Sequence, residues 1–286
     1  MPSQETTPLL SDHQALPLHN GTRQTQGSVP ISVLVSRSAW PGLSSRALHF
    51  LRAGILAYLA ALVPMLVRYK AAEKAAANVT PWSILFDFSM LSYILQLHWH
   101  LLSYPGQPRS SSNNFCPSLL YTAALVFNFM NATIFPKGDD NGGVLGHGWL
   151  QTFSVINMYG VTPLIAIAEV LFLNTITHQH AVARHVLSTT YLLMGYLAWA
   201  AIGNTMTGQY PLFWMDPTEI GGAGRVAACA FGFVGLGVSA FAAVYGLTVL
   251  REKLAKYATR KTQYSPVPDS EHEHERAADQ MPRRRA

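Results

Sequence analysis

Long apolar stretches, separated by short polar ones, fill the chain between about residues 47 and 250. Six of them approach the roughly 20 residues that a helix needs to cross a hydrocarbon core about 30 Å thick. They cover residues 47–67, 82–102, 117–135, 150–175, 186–207 and 226–250. In hydrocarbon each backbone N–H and C=O has to be satisfied inside its own segment, so these runs are expected to be helices. The alternating pattern of a membrane β-barrel is absent. The predicted fold class is all-α: a polytopic membrane bundle of about six transmembrane helices with short connections. No internal repeat occurs, so the inverted-repeat signature of many transporters is missing. The sixth run carries small residues four apart, Gly224, Ala228 and Gly232, then Gly235, Ser239 and Ala243. That ridge is expected to pack inside the bundle, where small residues let helices approach closely.

Both flanks are polar. Residues 1–46 and 251–286 read as disordered tails, the first rich in Ser, Thr, Gln and Pro and the second ending Arg283-Arg284-Arg285. Residues 1–46 lack an early apolar core, so the first apolar run is expected to act as an uncleaved signal anchor. Composition agrees with the membrane reading. Of 286 residues, 49% are hydrophobic and 12% charged, against about 25% charged in soluble domains. The net charge of +5 gathers near the ends, which suits an anionic membrane surface and gives no case for nucleic-acid binding. Arg23, Arg37 and Arg46 precede the first run, and Arg251, Lys253, Lys256, Arg260 and Lys261 follow the last. By the positive-inside rule both tails face the cytosol. Arg68, Lys70 and Lys74 then fall in a lumenal first loop, with Asn78-Val79-Thr80 as a glycosylation acceptor at Asn78. In the tails, Glu5 with Leu9 and Leu10, and Tyr264 with Val267, match short sorting signals. These point to sorting adaptors as partners and to the endomembrane system, vacuolar or endosomal membranes in particular.

Polar residues inside the runs bear on chemistry, because an ionisable group in hydrocarbon is unfavourable by about 2.5–3.5 kcal/mol on insertion scales. Arg52 is near enough to the start of its run to snorkel. Asp87 falls toward the lumenal end of the second run and Glu169 toward the cytosolic end of the fourth, so they are not expected to form one carboxylate pair. Each either lines a pocket or stays hydrated near an interface. His98 and His100 point about 200° apart on a helix and are expected, with Trp99, in an interfacial belt. Asn128, Asn131, Asn157 and Asn204 are candidate buried amides for interhelical hydrogen bonds. His178-Gln179-His180 with Arg184 and His185 reads as a polar, weakly basic loop. Cys116 and Cys229 give neither a disulfide framework nor a zinc site. Glu271-His272-Glu273-His274-Glu275 reads as solvated tail, and no metal or other cofactor is implied.

The second half contains an ordered series of motifs. Ile134-Phe135-Pro136-Lys137 ends the third run, and Gly148-Trp149-Leu150 opens the fourth, which holds Thr162-Pro163 and Glu169. His178-Gln179-His180 follows, then Gly195-Tyr196-Leu197-Ala198-Trp199, Thr207-Gly208-Gln209-Tyr210-Pro211-Leu212, and Gly221-Gly222-Ala223-Gly224-Arg225. Over about residues 126–250 this series resembles the androgen-induced family of six-helix membrane proteins, which includes androgen-dependent membrane hydrolases. The first half is similar only through Trp82 and Asp87. The resemblance implies a bundle of six helices acting on esters of hydroxy fatty acids, with a threonine nucleophile in helix two and a histidine in helix four. This chain departs at both places. Counted from Trp82 or Asp87, the threonine position falls on Ile84, Leu85 or Phe86, and the nearest hydroxyls are Ser83 and Ser89. Counted from Pro163 or Glu169, the histidine position falls on Met158 or Tyr159, and the nearest histidine upstream is His147.

Ser83, His147 and Tyr159 are therefore the catalytic candidates, with a His147–Ser83 pair at the lumenal face as one arrangement. Asp87, Glu169 and Asn204 are the polar intramembrane residues. The leading function is lipid ester hydrolysis with displaced catalytic groups. The alternative is a non-catalytic protein that binds membrane lipids or serves as a scaffold. A transporter or channel using Asp87 and Glu169 is a third reading, opposed by the absence of repeats.

Overall fold

The computed structural model describes Ser38, Trp40 and residues 43–104, 115–134, 148–174 and 182–263, with side chains as far as residue 258 and without those of residues 115 and 116. The described residues form helices, and no strand occurs among them. Helix α1 spans Ser45–Ala76. A 3-10 turn at Pro81–Phe86 leads into α2, Phe88–Ser103. Helix α3 is Phe115–Thr133, α4 is Trp149–Leu173, and α5 is Val182–Thr207. After short turns at Phe213–Met215 and Pro217–Ile220, α6 runs Ala223–Gln263.

Four of these helices are long and apolar enough to cross a membrane: α1, α4, α5 and Ala223–Ala258 of α6. Their outer faces stay apolar and uncovered. Only 22% of the apolar window of α1, and 22% of that of α6, is buried. Phe50, Tyr191, Met206 and Phe231 all point outward. That distribution suits an integral membrane protein. The inner helices are α2 and α3. At 16 residues, α2 spans about 24 Å at 1.5 Å per residue, short of the hydrocarbon thickness. Residues 121–128 of α3 are buried on every side, as an all-round apolar helix requires.

Three apolar clusters hold the bundle. Leu59, Leu62 and Leu66 of α1 meet Met90 and Tyr93 of α2 and Met158 of α4. Trp99, Tyr121, Leu125, Ala166, Val170 and Val244 join α2, α3, α4 and α6. Phe88, Phe127, Met130, Leu193, Tyr196 and Phe233 join α2, α3, α5 and α6.

The element boundaries correct several expectations. Helix α1 continues to Ala76, so Arg68, Lys70 and Lys74 lie on a helix and not in a loop. It ends in a tight turn where Asn78 takes φ +56°, a left-handed conformation that asparagine tolerates better than most residues. Helix α6 continues to Gln263, so the first part of the predicted C-terminal tail is helical. Arg184 and His185 belong to α5. The small-residue ridge of α6 faces outward: Gly224, Ala228, Gly232, Gly235, Ser239 and Ala243 are all exposed. The close helix approach on α6 is instead at Gly237, where an added Cβ would lie 2.1 Å from Leu193 Cδ1.

Two irregularities position everything that follows. The run predicted as one helix over 82–102 breaks at Asp87, whose extended backbone (φ −71°, ψ 125°) separates the 3-10 turn from α2. The break frees the Leu85 and Phe86 carbonyls, and α5 satisfies both. Trp199 Nε1 donates to Leu85 O at 3.0 Å, and the Tyr196 hydroxyl donates to Phe86 O at 3.2 Å. The Phe86 ring packs 4.9 Å from Trp199 and directly over Gly203. The second irregularity is in α4, where a π-turn at Ile156–Val161 precedes Thr162-Pro163. Proline has no N–H to donate and its ring clashes with the preceding turn. The chain responds with a wider turn in which the Thr162 N–H reaches Asn157 O. Asn131 of α3 then donates to the Met158 carbonyl at 3.0 Å.

Gly203 gives a test of this packing. A Cβ there would lie 2.5 Å from Phe86 Cγ, whereas one at Gly195 on the same helix would meet nothing within 4 Å. Gly203→Ala is expected to destabilise the protein by about 1–3 kcal/mol through overpacking. Gly195→Ala is expected to be neutral or slightly stabilising. Thermal unfolding in detergent compares the two.

Candidate functional site

Two buried polar sites occupy opposite ends of α2. At the end near Ser103 lies Glu169, fully buried on α4. Arg52 of α1 pairs with it at 3.1 Å. Trp99 Nε1 donates to the same carboxylate oxygen at 3.2 Å. Arg52 also donates to Ser103 O at 3.3 Å and to Leu173 O. Asn174 donates to Glu169 O at 2.9 Å and to the Tyr121 hydroxyl at 3.1 Å. Arg251 of α6 donates to Asn174 Oδ1 at 2.7 Å and to Val170 O at 2.9 Å. A polar chain extends from this site along α2: Asn128 Nδ2 donates to Gln96 Oε1 at 3.1 Å, and Gln96 Nε2 lies 3.0 Å from His100 Nε2.

The site is built around the C-terminus of α4, whose last carbonyls have no partner within the helix. Each finds a donor from elsewhere: Arg251 for Val170, Trp40 for Leu171, Ser38 for Phe172 and Arg52 for Leu173. The negative end of the helix dipole favours cations. Two arginines with one glutamate are thus compensated by the backbone, and the arrangement does structural work across α1, α2, α3, α4 and α6.

At the other end, Asp87 accepts from the N–H of Ser89 at 2.9 Å and of Met90 at 3.3 Å, capping α2. Its same oxygen accepts from the Ser89 hydroxyl. The second oxygen is 3.0 Å from Lys70 Nζ, which also lies 3.0 Å from Glu73. Tyr159 of the α4 π-turn packs against the cluster that holds Met90 and feels the charges of Lys70 and Asp87. Lys70, Asp87 and Ser89 are all buried. Helices α1 and α2 thus bring a cation, a carboxylate and a hydroxyl together, with Tyr159 of α4 close by.

The predicted site residues distribute as follows. Asp87 and Glu169 lie in separate sites, each buried and paired, so neither stays hydrated at an interface. Arg52 does not snorkel: it is 2% exposed, because Glu169 and two carbonyls bind its guanidinium inside the bundle. Trp99 and His100 are buried in the bundle and not in an interfacial belt, and only His98 is exposed. Asn128, Asn131 and Asn157 are buried, whereas Asn204 is only half-buried and accordingly not a buried amide. The Asn157 side chain accepts from Tyr58 of α1. Ser83 is buried, and among the described residues its hydroxyl has no partner. Tyr159 belongs to the Asp87 site. Asn78 is exposed. His147, the loop histidines 178 and 180, and both sorting motifs lie outside the described residues. No group of three or more potential metal ligands gathers among the described residues. A Ser–His contact, Ser45 Oγ to His49 Nε2 at 3.5 Å, is at the exposed start of α1.

Sequence reasoning missed Lys70 and Ser89 as site residues. The Asp87-Phe88-Ser89 spacing is a capping signal that could have found Ser89. The distant Lys70 gave no signal. No family model, no curated protein and no solved structure matches this chain.

The Arg52–Glu169 pair yields a second prediction. Removing one partner of a buried pair leaves an uncompensated charge and typically loses about 3–5 kcal/mol. Arg52→Met and Glu169→Met should each destabilise by that amount, and the double variant by clearly less than the sum. A denaturation cycle in mixed micelles measures the coupling; strict additivity would exclude a direct interaction.

Proposed function

We propose that the chain is an integral membrane protein on the six-helix plan of the androgen-induced family and that it hydrolyses lipid esters, of the hydroxy-fatty-acid class, at the Asp87 end of α2. One observation carries this reading. The two stretches where the resemblance would place the family's nucleophile and base, 84–86 and 158–159, are distant in sequence yet pack together: Ile84 and Tyr159 flank one cluster with Met90, Tyr93 and Met158. A hydroxyl nucleophile and its base need that proximity. The surroundings are apolar enough for acyl chains, with Trp82 and Leu85 exposed on the adjoining turn.

In this reading α2 and α3 complete the membrane domain as inner helices. Both tails face the cytosol, where Glu5, Leu9 and Leu10, and Tyr264 and Val267, engage sorting adaptors for vacuolar or endosomal membranes. Asn78 faces the lumen.

A second reading, a non-catalytic lipid-binding or scaffolding protein, is favoured by one fact: of residues 84–86 and 158–159 only Tyr159 carries a proton-transfer group. The two separate on one experiment. Purified protein in lipid nanodiscs is expected to release free fatty acid from a hydroxy-fatty-acid ester at a rate well above that of empty nanodiscs. Folded, monodisperse protein that retains bound lipid and shows no release would establish the second reading.

A further inference from the structure

We infer that Ser89 is the nucleophile of a reactive unit in which Asp87 is the base and Tyr159 the hydrogen-bond donor to the substrate, held in place by Lys70; this rests on the hydrolytic reading above. None of the sequence motifs assigns a nucleophile to Ser89. The geometry does. Ser89 Oγ already donates to Asp87 Oδ1, so proton and acceptor are in contact before any substrate arrives. Tyr159 approaches from the α4 π-turn, packed against the cluster that holds Met90. Lys70 reaches across from α1 and fixes the other Asp87 oxygen at 3.0 Å.

Capping alone does not account for this assembly. An aspartate at an N-cap needs only the backbone N–H groups it accepts, here those of Ser89 and Met90. Lys70 from α1 balances the charge of the buried Asp87 carboxylate, and Tyr159 stands on a π-turn, a feature that often marks functional positions. Ser83 is a poorer candidate, since among the described residues nothing contacts its hydroxyl.

The chemistry balances without any further reagent. Ser89 Oγ attacks the ester carbonyl carbon while its proton passes to Asp87 Oδ1. The carbonyl oxygen gains charge and accepts a hydrogen bond from Tyr159. The bond to the alcohol breaks, and the departing alkoxide takes the proton from Asp87. Water then attacks the acyl-serine; its proton passes through Asp87 to Ser89 Oγ, and the free acid leaves. Lys70 is a positioning residue that acts through Asp87.

The test uses the full-length protein in nanodiscs with a fluorophosphonate probe and the same ester. Mass spectrometry of labelled wild type is expected to find the adduct on Ser89. Ser89→Ala should lose label and at least about 100-fold in turnover, and Tyr159→Phe about tenfold in kcat with the label still on Ser89. Ser92→Ala, one turn further along α2, should keep wild-type turnover. If wild type turns over but the adduct maps elsewhere, or Ser89→Ala remains active, the assignment of Ser89 falls and the hydrolytic reading stands. If wild type neither labels nor turns over, both fall. The adduct position in wild type decides the matter even where Ser89→Ala fails to fold.

Discussion

Glu169 has no exposed surface, and its helix ends inside the bundle. That combination imposes most of the architecture at one end of the protein. A buried carboxylate needs a cation and donors, and the free carbonyls of a helix end need donors too. Arg52 meets both needs at once, binding the Glu169 side chain and the Leu173 carbonyl. Arg251 and Asn174 extend the same solution to α6 and α3. Helices whose outer faces are bare and apolar gain little from hydrophobic contact with one another in lipid. Directed polar contacts of this kind, with close packing, then decide which helices are neighbours.

The opposite end follows a related logic with a different outcome. Two breaks in regular helix, at Asp87 and before Pro163, free carbonyl groups that other helices must satisfy. Tyr196 and Trp199 serve the first break and Asn131 the second. This gives the Gly195-Tyr196-Leu197-Ala198-Trp199 motif a physical role: its aromatic residues hold the turn that sets the entry to α2. The breaks also place Ser89 in the first turn of α2 and Tyr159 in the widened turn of α4. An unbroken helix through residue 87 would leave the Ser89 N–H and side chain without the Asp87 cap that now orients them.

Much of the fold was legible because period and length speak directly in an apolar chain. Each of the predicted runs contains a helix, since a stretch such as 117–135 has no other way to satisfy its backbone, but only four of the six are long and apolar enough to cross a membrane. Partner choice was not legible in the same way. Arg52 lies close enough to the end of its run that snorkelling and pairing look alike in one dimension; only the position of Glu169, 117 residues away, separates them. The same holds for Trp99 and His100, whose amphipathic character suits an interface as well as a core. The small-residue ridge of α6 misled for a converse reason. Small side chains permit close approach but do not compel it, and the contact formed at Gly237 on a different face.

The candidate site illustrates where sequence comparison and geometry part. The resemblance points to positions, Ile84, Leu85 or Phe86 and Met158 or Tyr159, of which only Tyr159 can transfer a proton. Geometry identifies groups, and the groups that meet at this level of the bundle are Lys70, Asp87, Ser89 and Tyr159. The two are reconciled if the fold preserves a place and not particular residues. Ser89 stands three residues beyond Phe86 and on the other side of the break at Asp87, in the first turn of α2. Residue-by-residue transfer fails across such a break. Capping and charge balance account for Asp87 and Lys70; the Ser89 hydroxyl beside that carboxylate is the group they do not require.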